Sequence, residues 1–141
     1  LKKILHVVSI DAEREDVFEA IASAKGLSSW WSTKLEATGN PEEEIRFTFH
    51  GDFHPVMKVT KRVENERIEW TCASGHEPWK DNDLSFALED AGDRTQLTFV
   101  QDYARELSDL AYGTYNFNWG YYLNSLKQYC ETGRGVPFEA E

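Results

Sequence analysis

Residues 110–132 read LAYGTYNFNWGYYLNSLKQYCET, and the spacing of their apolar groups decides the fold. Tyr112, Tyr115, Trp119, Tyr122, Leu123, Leu126 and Cys130 fall mostly at steps of three and four, which stack side chains on one face of a helix. At ~100° per residue they lie within about 60° of Trp119, with Gly113, Asn124 and Gln128 on the far side. A helix this aromatic on one face needs a broad apolar surface to lie on, and the preceding chain must supply it.

Working back from that helix, the chain is mostly period two. Ile45, Phe47 and Phe49 alternate with Arg46, Thr48 and His50 before a Gly51-Asp52 turn. Met57, Val59 and Val63 continue the inward row, and Asn65-Glu66 turns the chain into Ile68, Trp70 and Cys72. After the irregular SGHEPWKDND come Leu84, Phe86 and Leu88, a turn over residues 90–93, then Leu97 and Phe99. Strands apolar on one face and polar on the other predict an antiparallel sheet with one face in water. Its dry face is the partner the last helix requires.

The N-terminal quarter is different. Residues 3–10 are apolar on both sides (Ile4, His6, Val8, Ile10 against Leu5, Val7), which reads as a central or covered strand. Asp11 is placed to cap a helix with Glu13 and Glu15 in its first turn, Val17, Phe18, Ile21 and Ala22 as its buried stripe, and Lys25-Gly26 as its stop. GLSSWWST follows, too short for a full helix. Its adjacent tryptophans point about 100° apart on a helix, so one of Trp30 and Trp31 fills the core while the other faces an opening or a neighbouring helix. A polar stretch turning at Gly39-Asn40-Pro41, with a solvated charge run at Glu42, Glu43 and Glu44, leads into the strands. The whole is expected to be one α+β domain over residues 1–141: a curved antiparallel sheet of about six or seven strands gripping the long C-terminal helix, with two short helices after the first strand. A strongly twisted sheet cannot lie flat along a whole helix, so a gap between them is the candidate site.

Composition limits the partners. Fifteen Lys and Arg against 25 Asp and Glu give a net charge of −10, which repels phosphate backbones and anionic lipid surfaces, so neither nucleic acid nor membrane is expected. No apolar run reaches the ~20 residues that span a bilayer, and LKKILHVVSID is too short in apolar residues for a signal peptide; the expectation is a soluble cytoplasmic protein. The two cysteines, Cys72 and Cys130, have no CxxC or paired-histidine context, so they read as buried reduced thiols. His50 and His54 are four apart, but Gly51-Asp52 separates them, so no metal pair is assigned. No GxSxG, Cys-His arrangement or glycine-rich phosphate loop occurs, and no cofactor is expected.

The order of elements, the GLSSWWS segment, the IRFTF strand, the IEWTC strand followed by a loop with Trp79, the RTQLTF strand and the closing WGYYLNSLKQYCETGRG together resemble the START-like (SRPBCC) superfamily. Within it, the chain resembles homologues of the activator of the ninety-kilodalton heat-shock chaperone's ATPase. The resemblance covers essentially the whole chain and implies the helix-grip fold around an apolar cavity. It implies no single activity: members bind lipids, hormones or polyketides, act as cyclases or hydrolases, or assist the chaperone. Where relatives often carry an inward histidine in an FxHxG run after the last strand, Gln101 holds that phase here, and an amide cannot exchange a proton near neutral pH.

The expected function is binding of a small hydrophobic or aromatic molecule between helix and sheet. The candidate walls are Trp31, Phe47, Phe49, Met57, Trp70, Phe86, Phe99, Tyr115, Trp119 and Leu123, with His6, Asn116 and Gln101 as polar anchors. No catalytic residue is assigned. His76 and Glu77 sit in a loop read as solvated or mouth-lining. Phe117 and Tyr121 lie about 160° from Trp119, away from the cavity, and are candidates for a homodimer contact or for packing under the GVPFEAE tail. The competing readings are a chaperone-associated interaction module and a cyclase or hydrolase on a hydrophobic substrate.

Overall fold

Where alternation lets one face bury and the other stay wet, the chain is strand. The computed structural model describes residues 2–37 and 44–140; the turn expected at Gly39-Asn40-Pro41 and the charges of Glu42 and Glu43 lie outside the described residues. The elements are β1 (Lys3–Ile10), α1 (Arg14–Ala22), α2 (Ala24–Trp30), β2 (Leu35–Ala37), β3 (Glu44–Phe47), β4 (Val56–Val63), β5 (Arg67–Ser74), a 3₁₀ turn (Glu77–Trp79), β6 (Asp83–Ala91), β7 (Arg94–Asp102) and α3 (Asp109–Thr132). The strands form one curved antiparallel sheet in the order β1-β7-β6-β5-β4-β3-β2. The architecture is the expected α+β helix grip.

Register carries the inward rows across the sheet. One row runs His6, Phe99, Phe86, Ile68; the next runs Ile4, Gln101, Leu84, Trp70. Of these eight, seven bury almost completely and Gln101 is the polar one among the seven. Against them pack Val17, Phe18 and Ile21 of α1, Leu27 and Trp30 of α2, and Trp119, Leu123 and Leu126 of α3. The Trp30 indole donates to the carbonyl of Ala20 at 2.8 Å, so this large side chain enters the core with no donor left unpaired. Two register shifts in β4, between Val56 and Met57 and between Val59 and Lys61, bend that strand.

Several N-terminal expectations are corrected. β1 is an edge strand, not a covered one, and Leu5 and Val7 on its outer face are each 57% exposed; alternation reports side-chain chemistry, not the position of a strand in its sheet. Asp11 does not cap α1. Its backbone N–H donates to the Glu131 carboxylate at 2.8 Å, and Glu13 occupies the cap position without a side-chain hydrogen bond. Lys25-Gly26 does not end a helix either: the break falls at Ser23, whose hydroxyl accepts from the Gly26 N–H at 2.9 Å and starts α2. Glycine is required there by crowding, because a Cβ on Gly26 would stand 2.5 Å from the Ala20 Cα. β2 was read as a polar connection. It pairs with β3, Leu35 opposite Phe47.

Candidate functional site

α3 starts where the Ser108 hydroxyl accepts from the Ala111 N–H at 3.1 Å, and it packs against β1, α1 and α2. That places it over one side of the curved sheet. On the other side, between α3, the β3–β4 connection and the β5–β6 loop, an open cleft of about 580 Å³ remains.

The cleft is built from aromatic rings. Trp31, Trp79 and Trp119 are its deepest wall; each is nearly fully buried. Trp31 stacks on Trp119 with centroids 5.2 Å apart and planes 25° apart, and Trp119 stacks on Trp79 at 5.9 Å and 14°. Trp31 also stacks on Trp30 at 6.1 Å and on Trp70 at 5.9 Å, so ring contacts link all five tryptophans of the chain. Phe53 stands nearly perpendicular to Trp79 (5.0 Å, 86°) and stacks on Phe49 at 4.7 Å. Phe138 closes one end at 5.5 Å from Phe49, held there because its backbone N–H donates to the Trp31 carbonyl at 2.9 Å and its carbonyl accepts from Thr33 at 2.9 Å.

One polar contact crosses the cleft from loop to helix: His76 Nε2 lies 3.0 Å from the Tyr115 hydroxyl. Burial lowers the proton affinity of His76, with the Asp52 carboxylate opposing it. Burial, then Asp52, raises the Tyr115 pKa, and burial followed by Tyr121 raises that of Tyr122. Imidazole and phenols are thus held neutral near pH 7. Gly75 sets the loop that presents His76 and Trp79. Its φ is +88°, and a Cβ there would lie 1.9 Å from the His54 carbonyl oxygen, so no other residue fits the backbone as it runs.

Of the residues expected at the site, Trp31, Phe49, Tyr115 and Trp119 line the cleft. Phe47, Met57, Trp70, Phe86, Phe99 and Leu123 do not; they are closed core behind it. His6 and Asn116 are brought together, but to each other, His6 Nε2 lying 3.0 Å from Asn116 Oδ1 and neither lining the cleft. Gln101 is fully buried, and its Oε1 accepts from the Trp119 indole at 2.7 Å while its Nε2 has no partner among the described residues. It positions the Trp119 ring. Phe117 and Tyr121, expected to face away, border the cleft on its outer rim, 75% and 51% exposed. The helix angle was sound; the cleft is wide enough to reach around the helix. Phe53, His76, Trp79 and Phe138 are the wall residues that strand alternation did not select. The available signal was aromatic residues inside turns and tails, where water contact alone gives them no stability.

Burial pushes the Cys72 thiol up to about 11 and, with Asp16 and Glu131 adding to it, Cys130 up to about 12. Both are free, and burial disfavours the thiolate that a nucleophile requires. Among the described residues no group of three or more His, Cys, Asp or Glu is placed to hold a metal ion, and no helix is long and apolar enough to cross a membrane.

The family described as activator of Hsp90 ATPase homolog 1-like protein matches residues 11–131. The chain belongs to that family. Among solved structures it is similar to the Aha1 dimer from Colwellia psychrerythraea, at 31% identity and a TM-score of 0.84 over 96% of this chain and 100% of that one. Protein SSP2350 from Staphylococcus saprophyticus (19% identity, TM-score 0.76, 99% and 98% covered) and CalU16 from Micromonospora echinospora (18%, 0.67, 93% and 77%) share the fold. No curated protein matches the sequence. Fold and family together are those of a ligand-binding or protein-interaction module.

Proposed function

We propose that the protein binds a small hydrophobic or aromatic molecule in the cleft between α3 and the β3–β4 and β5–β6 connections. The observation that carries this reading is a space of about 580 Å³ whose deep wall is three stacked tryptophans. A chain under no demand to bind would gain roughly 25 cal/mol per Å² by collapsing such a surface. Trp31, Phe49, Tyr115 and Trp119 are the expected site residues kept in this proposal, joined by Phe53, Trp79, Tyr122 and Phe138. Native mass spectrometry of gently purified protein, with tryptophan quenching against a panel of aromatics and fatty acids, tests it. A retained or added ligand that quenches supports it, and silence across the panel removes it.

A second reading is favoured by a separate observation. Phe117 and Tyr121 present a largely exposed aromatic pair on α3, and the similar Colwellia protein is described as a dimer. We propose this pair as a homodimer contact. Light scattering at micromolar concentration should show a dimer that Phe117→Ser converts to monomer; a monomer in both cases removes the contact. A chaperone as the partner follows only from the family description, and stimulation of the chaperone's ATP turnover by this protein is its test. Cyclase or hydrolase chemistry would draw on the His76–Tyr115 pair in the cleft, and it ranks below binding.

A further inference from the structure

We propose that the cleft selects its ligand by charge, and that the ligand is a small organic cation: an aromatic or alkyl group carrying a substituted ammonium. The proposal rests on the ligand-binding reading above and specifies which class of ligand that site takes.

The first ground is the inventory of the walls. Among the described residues neither lysine nor arginine lines the cleft, and the one formally charged side chain that does is Asp52. Asp52 sits in the turn between β3 and β4, where the Phe53 N–H donates to the His50 carbonyl at 3.2 Å, and no cation pairs with it among the described residues. Its field reaches inward. Asp52 is the charge that acts on both His76 and Tyr115. His76 does not reverse this sign near neutral pH, because burial lowers its proton affinity and its Nε2 is engaged with Tyr115.

The second ground is the geometry of the rings. Around Trp79, the rings of Phe53, His76 and Tyr115 stand at 86°, 79° and 67°, while Trp119 lies parallel at 14°. These contacts bury Trp79 almost completely, so on this side the cleft is bordered by the part-buried rings of Phe53 and Tyr115. Ring faces carry the negative end of the aromatic quadrupole, so the faces of Phe53 and Tyr115 attract a cation. A substituted ammonium spreads its charge over alkyl groups, so it combines the apolar contact the walls offer with the charge that Asp52 and the ring faces favour. A carboxylate in the same place would meet Asp52 with no compensating cation and would lose its hydration. At long range, the net charge of −10 raises the local concentration of cations and lowers that of anions. A cleft of about 580 Å³ is the size that takes a small molecule rather than a polymer segment.

The test uses three probes of nearly one shape: benzyltrimethylammonium, its neutral isostere neopentylbenzene, and phenylacetate. Each is titrated into the full chain at about pH 8 and followed by ring-proton NMR shifts and calorimetry. The cation should bind about tenfold tighter than the neutral isostere, and phenylacetate weakest. Asp52→Asn, a change in an exposed turn, should weaken the cation several-fold and leave the neutral probe unchanged, and added salt should act on the cation alone. Equal binding of cation and isostere, tighter binding of phenylacetate, or an unchanged cation preference in Asp52→Asn overturns the charge selection while leaving a ligand site in place. Failure of all three probes to bind removes the ligand site, and the charge selection with it.

Discussion

Trp30 and Trp31 are neighbours in the chain, and they belong to two differently built halves of the same interface. Trp30 points under α1, where its indole is paired and its ring meets Phe86 edge-on at 6.3 Å with no space left over. Trp31 stacks on Trp30 and leads into rings that stop at an opening. In the closed half regular elements meet: α1, α2 and α3 pack against the sheet rows through Phe86 and Phe99. The open half has α3 on one side and only turns, a loop and the tail on the other. Both halves are aromatic. What differs is whether regular elements can approach closely enough to interdigitate, and connections that must keep their own backbone hydrogen bonds cannot.

If that contrast is correct, truncation should be costly in one half and cheap in the other. Phe86→Ala removes a fully buried ring at the centre of the closed half and should cost about 3–5 kcal/mol in urea unfolding; a loss under about 1 kcal/mol would mean that this half is not close-packed. Gly75→Ala comes next. It strains a φ of +88° against the His54 carbonyl and should cost about 1–3 kcal/mol, with a change in tryptophan emission as Trp79 shifts. Phe53→Ala lies in the open half and is half-buried; it should cost under about 1 kcal/mol in stability while weakening any cleft ligand about tenfold.

The smallest effect concerns pH. His76 has a folded pKa below its ordinary value because burial disfavours the imidazolium, so the unfolded chain takes up the proton first as pH falls. Its contribution to stability is therefore full above about pH 6.5 and is lost progressively below that until the lowered value is passed. The difference in thermal midpoint between the natural chain and His76→Gln should shift against the natural chain between about pH 7.5 and about pH 5. A difference that stays level over that interval would place His76 in water rather than in the cleft wall.

How far the site could be read in advance tracks the same contrast. The inward rows through Ile68, Phe86, Phe99 and Trp70 were legible because a strand gives each side chain a face, and register preserves it across the sheet. So was the buried face of α3. The candidate ligand residues taken from those rows include Phe47, Met57, Phe86 and Phe99, which are core, because alternation tells inward from outward but not filled from empty. His6 and Asn116 were each noticed as polar groups facing inward or beside the helix face, yet that they satisfy one another across more than a hundred residues has no trace in local pattern. Phe53, His76 and Trp79 lie in turns, where no period assigns a face at all.

By itself, then, the order of residues determined the helix, the strand faces, the antiparallel class and the sign of the charge, since each depends on neighbours one to four positions away or on a simple count. Only the tertiary structure decided that β1 lies at an edge, that Gln101 holds Trp119 by its indole, and that the rings of Trp31, Trp79, Phe53 and Phe138 meet around a space. Those are distances between residues far apart in the chain. They are set by the curvature of the sheet and by where the connections are forced to run.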